Sequence, residues 1–507
     1  MYPIDFFYRA VKRHPDRVAL ICPDDKQVTF NELSLRVRSL AAAIQAHDQT
    51  EQARVGICAG NQAEHVIALL ATLAAGKVWV PLNVRSTPSE IARILQSVTP
   101  SLVIADELGL PLVGSLNGTE CWGMGQDGLR SIDALVTEFH GREPESTTVG
   151  RDGTQAIKFT GGTTGAPKGV MQPYRAWNAC IINQIHGWGL TPDDRYVVCA
   201  PVTHGTSTYV LPILAQGGCL VFPDSNSPAD IANAFDRHQG TISFMPPTLI
   251  YMLMSSPAVS VNQFKRLRHL VFGGAPMPPE KVDDAVAFFG PRIGSTYGQT
   301  ESPQIVTMIL PHELADQTNR GSCGRCTWLS DVAIVSPQGE LLPTGQKGEV
   351  VVQGDLVMTG YWQMPEKTAE TIVDGWLHTG DVGYLDDRGF LYIKDRLRDV
   401  IITGGFNVYP VDVEDALSKH PAVYEASVFG LPHDKWGEAV HAAVQLHPNV
   451  SATETELKAH VKHLLGGVHT PKQVHFLNEL PRSSVGKVLK KDIRDQLGDS
   501  PMSTITT

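Results

Sequence analysis

The stretch FTGGTTGAPKGV, residues 159–170, crowds glycine and threonine around one lysine. Consecutive glycines let backbone N–H groups turn toward an anion with no Cβ in the way. The hydroxyls of Thr160, Thr163 and Thr164 add donors, and Lys168 adds a compact positive charge. Such a turn can hold phosphate. It is not the loop G-x-x-x-x-G-K-[ST], because Lys168 stands between Pro167 and Gly169. A plain surface loop has a similar composition, but this density of glycine and threonine beside one lysine favours phosphate. Cys323 and Cys326 in GSCGRC have the spacing of half a zinc site. No second pair follows at a suitable distance, so they read as small loop residues.

The elements that must position the loop show a clear texture. Helical patterns alternate with short apolar runs: NELSLRVRSLAAAIQAH then RVGICAG, HVIALLATLAAG then VWVPL, PSEIARILQSV then SLVIA, and later ADIANAFDRHQ then TISFMPP. That alternation predicts α/β units with parallel strands. After about residue 320, DVAIVSP, GEVVVQG and GFLYIKD read as strands joined by turns, with little helix between them. Past residue 400 comes a compact α+β piece. In SATETELKAHVKHLL, Ser451 is expected as N-cap, with Glu454 completing a capping box and apolar positions at 457, 461, 464 and 465. A boundary is expected within 394–400, a charged stretch between strand-like runs.

With 507 residues the chain has room for roughly two to four domains. A net charge of −11 argues against a nucleic-acid partner, which would need clustered Lys and Arg. Asp5 sits where a signal peptide would need its apolar core, and the longest apolar run, Val66–Gly76, is too short to span a bilayer. A cytoplasmic protein without a membrane span is expected. The eight scattered cysteines fit reduced thiols.

The glycine-rich loop resembles the phosphate loop of the adenylate-forming (ANL) superfamily, and other stretches follow in that family's order. FGGAP (272–276) and STYGQTE (295–301) resemble its adenine and Mg-ATP motifs. LHTGDVGYLDDRGFLYIKDRLRDVI (377–401) resembles its ribose motif and hinge. TGGFNVYPVDVE (403–414) resembles its second-step loop, and PRSSVGKVLK (481–490) its lysine loop. The resemblance covers nearly the whole chain, on the acyl-CoA synthetase and aryl-acid:CoA ligase branch. It implies an α/β fold: a large N-terminal domain of layered sheets plus a β-barrel-like subdomain, and a small mobile α+β C-terminal domain. The expected division is 1–396 for AMP binding and 397–507 for the part carrying the catalytic lysine.

The residue roles below are implied by that resemblance. Lys487 neutralises charge developing on the α-phosphorus of ATP as a carboxylate attacks it. Glu301 carries Mg²⁺ and Thr300 holds a phosphate oxygen. Thr160, Gly161, Gly162, Thr163, Thr164, Gly165 and Lys168 hold phosphates; Tyr297 lies against adenine with Gly274, Ala275 and Pro276 as the other wall, and Thr296, Gly298 and Gln299 also belong to the ATP site. Asp381 accepts from the ribose hydroxyls, with Arg396 as a second contact. His204 packs beside the acyl carboxylate and gates thiol entry. Arg398 occupies the hinge; Gly404, Gly405, Phe406 and Trp436 face the pantetheine arm of coenzyme A.

The acyl pocket is expected from Asn183, His204, Thr206, Phe244, Gly273 and Gln304. Its amides and hydroxyls favour an aryl or medium-sized acid with a polar substituent. No Arg or Lys is evident for a second carboxylate, and the acidic residue that amino-acid-activating relatives use is absent. Gly161 replaces the usual serine of the loop, and GGVHTPK (466–472) departs from the aromatic–lysine pair of many CoA ligases. ATP, Mg²⁺ and coenzyme A are thus the expected co-substrates and cofactor, and the small-molecule acid is the other partner. A homodimer stays open. The alternative is a stand-alone adenylating enzyme that loads a carrier protein. A non-catalytic scaffold is disfavoured by intact Lys487, Glu301 and Asp381.

Overall fold

Short, fully apolar strands explain the architecture. Val78–Leu82 and Leu102–Ala105 are buried at every position, as strands covered on both faces must be. They belong to an eight-stranded sheet whose parallel centre runs Thr154–Thr160, Val78–Leu82, Arg54–Cys58, Leu102–Ala105 and Glu120–Gly123. A nine-stranded sheet is parallel from Ile293–Tyr297 through His269–Phe272, Ile242–Met245, Arg195–Val197 and Cys219–Val221 to Val18–Ile21. The computed structural model describes residues 1–114, 119–125, 129–160, 167–482 and 488–498.

Helices Phe30–His47, Ala63–Ala74, Tyr174–Trp188 and Ser207–Ala215 fill the space between the two sheets and join them in one hydrophobic core. Ala63–Ala74 is apolar nearly all round, which suits a helix enclosed on every side. Trp79 from the first sheet meets Trp177 edge-on at 6.0 Å.

The β-barrel-like piece is built on five antiparallel strands, Ser330–Val335, Gly348–Gly354, Ile372–Val373, Trp376–Leu385 and Leu391–Arg396. A short 3₁₀ turn, Leu397–Asp399, leads from it into a last sheet of five strands with a core of its own, including Ile401, Val428, Val440, Leu457 and Val474. The helix there starts two residues later than the sequence reading has it. Thr453 is the N-cap and accepts from the Glu456 amide, and Glu456 returns the bond to the Thr453 amide at 2.7 Å. Both S-x-x-E and T-x-x-E fit the capping pattern, and the second puts the Glu454–Leu465 helix in register with buried Leu457 and Val461. Among the described residues, no helix is long and apolar enough to cross a membrane.

Candidate active site

A cleft of about 3060 Å³ opens between the large sheets and the C-terminal sheet. One corner is set by strand pairing. Asp381 and Arg396 lie directly opposite each other in the ladder between Trp376–Leu385 and Leu391–Arg396. The Arg396 Nε is 2.8 Å from Asp381 Oδ1, while Oδ2 accepts from the Tyr297 hydroxyl and the Gln299 amide, each at 2.6 Å. Tyr297 ends its own strand, Ile293–Tyr297. Burial first, and Asp381 second, push its phenol well above the ordinary range, so it stays protonated and donates. Gln299 also donates to the Thr379 carbonyl at 3.0 Å, tying the two chain segments together. The carboxylate is 4% exposed and held by three donors. It is thereby fixed in place before any ligand arrives.

The end of the cleft where phosphate binding is expected is framed by an antiparallel pair in which Thr160 faces Lys168. Both residues line the cleft, and residues 161–166, with the expected Gly161, Gly162, Thr163, Thr164 and Gly165, lie outside the described residues. Glu301 Oε1 accepts from the Tyr361 hydroxyl at 2.9 Å. Lys168 sits over the face of the same Tyr361 ring, 5.1 Å from its centroid. Burial and Glu301 both raise the Tyr361 pKa, so this phenol also remains a donor. Behind Thr300 runs a second chain: the Trp177 indole donates to Gln172 Oε1 at 3.1 Å, and Gln172 Nε2 donates to the Thr300 carbonyl at 2.8 Å.

Where the acyl pocket is expected, Tyr196, Tyr209 and Phe244 stack in series with centroids 5.3 and 5.6 Å apart. Two glycines let the Phe244 ring pack directly against the backbone. A Cβ on Gly205 would come within 2.6 Å of its ring, and one on Gly273 would meet the Thr296 carbonyl at 2.9 Å and the ring at 3.0 Å. Gln304 holds a left-handed φ of 62° and donates to Thr296 Oγ1 at 3.2 Å. His204 lines the cleft from a turn, and burial pushes its pKa down to about 4, with Lys158 and Arg85 adding to the effect. Its imidazole is neutral at pH 7.

Two family models match the chain. The model for the AMP-binding enzyme matches residues 7–362, and that for the AMP-binding enzyme C-terminal domain matches 412–487. The chain belongs to the AMP-binding enzyme family. It is a member of the adenylate-forming superfamily on its acyl-CoA synthetase branch. It is 31% identical to a medium/long-chain-fatty-acid–CoA ligase of Mycobacterium tuberculosis, FadD8, over 96% of this chain and 88% of that protein. It is 33% identical to a feruloyl-CoA synthase of Amycolatopsis over 93% of this chain and 94% of that one. The crystal structure of ATP-bound MatB from Rhodopseudomonas palustris superposes with a TM-score of 0.89, at 28% identity, over 98% of this chain and 99% of that one.

Of the expected ATP-binding residues of this AMP-binding enzyme, Gly274, Ala275, Pro276, Thr296, Gly298, Gln299, Thr300, Glu301 and Arg396 line the cleft. Tyr297 and Asp381 stand just behind them, joined to each other. In the acyl set, His204, Phe244, Gly273 and Gln304 face the cleft. Asn183 and Thr206 do not. Asn183 is fully buried and donates to Thr327 Oγ1 at 2.8 Å, and the Thr206 hydroxyl donates to the Ala200 carbonyl at 2.9 Å. Their polar groups serve the pocket's backing, so they say little about the acid.

On the C-terminal side, Arg482, Val488 and Lys490 line the cleft. They bracket residues 483–487, so Lys487 itself lies outside the described residues. The Gly404–Phe406 turn is not part of the cleft wall, and Phe406 is 61% exposed. Gly404 and Gly405 have φ of 58° and 83°, a left-handed pair that favours glycine. The Gly404 amide donates to the Trp436 carbonyl at 2.8 Å; His433 stacks on one side of the Trp436 ring at 4.3 Å, and Lys472 lies over it at 4.5 Å. The departing segment 466–472 therefore delivers a lysine to Trp436 despite lacking the usual pair. Arg398 is half exposed, 4.0 Å from Asp399, whose carboxylate is also met by Arg494 at 3.1 Å. Tyr361, Gln172 and Lys158 were not evident from the sequence as site residues, since no local pattern connects them to Glu301, Thr300 or His204.

Proposed function

We propose that the protein is an AMP-forming acid:CoA ligase acting in two steps on an aryl or medium-sized acid. The observation that carries this is the convergence on one cleft of the Asp381 cradle, the Glu301–Tyr361–Lys168 cluster and a wall formed by His204, Phe244, Gly273 and Gln304. In the first step the acid's carboxylate attacks the α-phosphorus of ATP, pyrophosphate leaves, and an acyl-adenylate forms. Asp381 accepts from the ribose hydroxyls and fixes the nucleotide's register. Lys168 and the amides of the glycine-rich loop hold the phosphates, and Lys487 stabilises charge on the reacting phosphorus. In the second step a thiolate attacks the acyl carbon, the carbon–oxygen bond breaks, and AMP departs with the original carboxylate oxygen.

Mg²⁺ fits the donor set. Glu301 offers a carboxylate with one oxygen engaged by Tyr361, and no group of three or more His, Cys, Asp or Glu that could hold a metal occurs among the described residues. That suits a cation held by one carboxylate together with substrate phosphates and water, whose role is to neutralise phosphate charge. We further propose that residues 1–396 and 397–507 move as two units about Arg398. The present arrangement is the adenylating pose, since Arg482 and Lys490 face the cleft and Gly404–Phe406 do not. Rotation exchanges the lysine loop for the turn beside Trp436.

The test is AMP release from ATP across a panel of carboxylic acids, with and without free coenzyme A. The reading expects acid-dependent AMP that rises with coenzyme A. Acid-dependent pyrophosphate exchange that gains nothing from coenzyme A would instead name a carrier protein as acceptor. A second expectation concerns the acyl slot. Gly273→Ala would press a methyl group on the Phe244 ring and the Thr296 carbonyl; by displacing this wall it should lower kcat/KM for the acid by roughly 10- to 200-fold and leave the KM for ATP nearly unchanged. Steady-state kinetics checks this; an unaltered kcat/KM places the acid elsewhere.

A further inference from the structure

Lys158 lies on the strand Thr154–Thr160 and is 7% exposed, at the inner wall of the cleft. Among the described residues it has no salt bridge to a carboxylate. Its ammonium donates to Ser207 Oγ at 2.8 Å and to the backbone carbonyl of His204 at 3.4 Å. The Ser207 hydroxyl donates to the same carbonyl at 2.6 Å. The faces of Trp79 and Trp177 enclose it, with centroids at 5.0 and 5.6 Å.

The carbonyl so gripped belongs to an unusual turn. Val202–Thr206 is a π-type turn in which His204 has φ −117° and ψ −130°, outside the regular wells. Such a conformation persists only where its surroundings hold it. Helix Ser207–Ala215 starts immediately after, so the grip joins the turn, the helix start and the phosphate-loop strand.

We propose that Lys158 is a positioning residue for the adenylation step: through Ser207 and the His204 carbonyl it locks the turn that presents the imidazole to the acyl carboxylate. The inference rests on the ligase reading, which places that carboxylate beside His204. A lysine is an expensive way to fill this space. Burial pulls its pKa down to about 7, and the titratable neighbours cannot neutralise it: the Cys180 thiol is pushed up to about 12 and His204 down to about 4. A methionine would pack between the two indoles without that cost. The hydrogen bonds are what the lysine adds.

The test compares Lys158→Met and Ser207→Ala with the wild type in acid-dependent pyrophosphate exchange, alongside thermal melting. Lys158→Met should lose roughly 10²-fold in kcat, the scale of a displaced reacting group, with the KM for ATP within about twofold of wild type and no fall in melting temperature. Ser207→Ala should lose roughly tenfold, the worth of one hydrogen bond, and the double variant should be no worse than Lys158→Met alone. The melting curves carry a further sign. A lysine whose folded pKa is depressed to about 7 penalises the fold fully below pH 7, and the penalty shrinks as pH rises toward the ordinary lysine value. The advantage of Lys158→Met in melting temperature should therefore narrow above pH 7. Wild-type kcat in both variants, or a kcat loss matched by a general rise in the KM for ATP, would overturn the proposal. Should Lys158→Met not fold, Ser207→Ala decides alone: unchanged kcat rejects the lock. A wild type without acid-dependent exchange would instead reject the ligase reading beneath it.

Discussion

Lys487→Ala is expected to lower the rate of adenylate formation roughly 10²- to 10³-fold or more, comparable to removing one preorganised donor from a developing oxyanion. Arg482 and Val488, on either side of 483–487, pair with each other and both line the cleft. The loss should be confined to the first step. Supplied with a preformed acyl-adenylate and coenzyme A, Lys487→Ala should make thioester at close to the wild-type rate, because in the proposed exchange of loops the lysine takes no part in that step. Single-turnover measurements of the two half-reactions check both statements. Equal losses in both would contradict an exchange of loops.

Asp381→Ala should be the most damaging change at the nucleotide's sugar. Its carboxylate holds Tyr297, Gln299 and Arg396 together, with contacts of 2.6, 2.6 and 2.8 Å. Removing it would take away the proposed acceptor for two ribose hydroxyls and leave the Arg396 guanidinium without its anionic partner. A lost hydrogen bond to a charged group is worth roughly 1.5–3 kcal/mol, so two such bonds predict a fall in ATP affinity of at least about 10²-fold. Tyr297→Phe is the milder companion. It keeps the ring and removes one donor to Asp381, and should cost roughly tenfold. Isothermal titration with ATP separates the two, and equal weak effects would show that Asp381 does not hold the ribose.

The residues that the sequence singles out travel in local clusters, which is what made them legible. Thr300 and Glu301 are neighbours; Gly274, Ala275 and Pro276 are consecutive; Asp381 sits in a short turn-like motif. The alternation of helices and apolar runs was equally legible, and NELSLRVRSLAAAIQAH and VWVPL fall in the Phe30–His47 helix and the Val78–Leu82 strand. What escaped was support that arrives from far along the chain. Tyr361 reaches Glu301 across 60 residues, Gln172 reaches Thr300 across 128, and Lys158 reaches Ser207 across 49. No periodicity encodes such pairings, because strand order in the sheets sets them. Asn183 and Thr206 illustrate the opposite case: their types suit a polar pocket, but the direction of a side chain on a buried helix or turn depends on packing that a single sequence does not display. The capping residue moved from Ser451 to Thr453 for a simpler reason, since two overlapping boxes competed and the buried face of the helix chose between them.

The most direct measurement uses a carboxylic acid labelled with ¹⁸O in its carboxylate, turned over with ATP and coenzyme A. Attack of the carboxylate on the α-phosphorus, followed by thiolysis, puts one labelled oxygen into AMP. Mass spectrometry of the AMP should show that single label, with none in pyrophosphate. Label in inorganic phosphate with ADP as the nucleotide product, or AMP without label, would contradict the acyl-adenylate and the roles assigned around it.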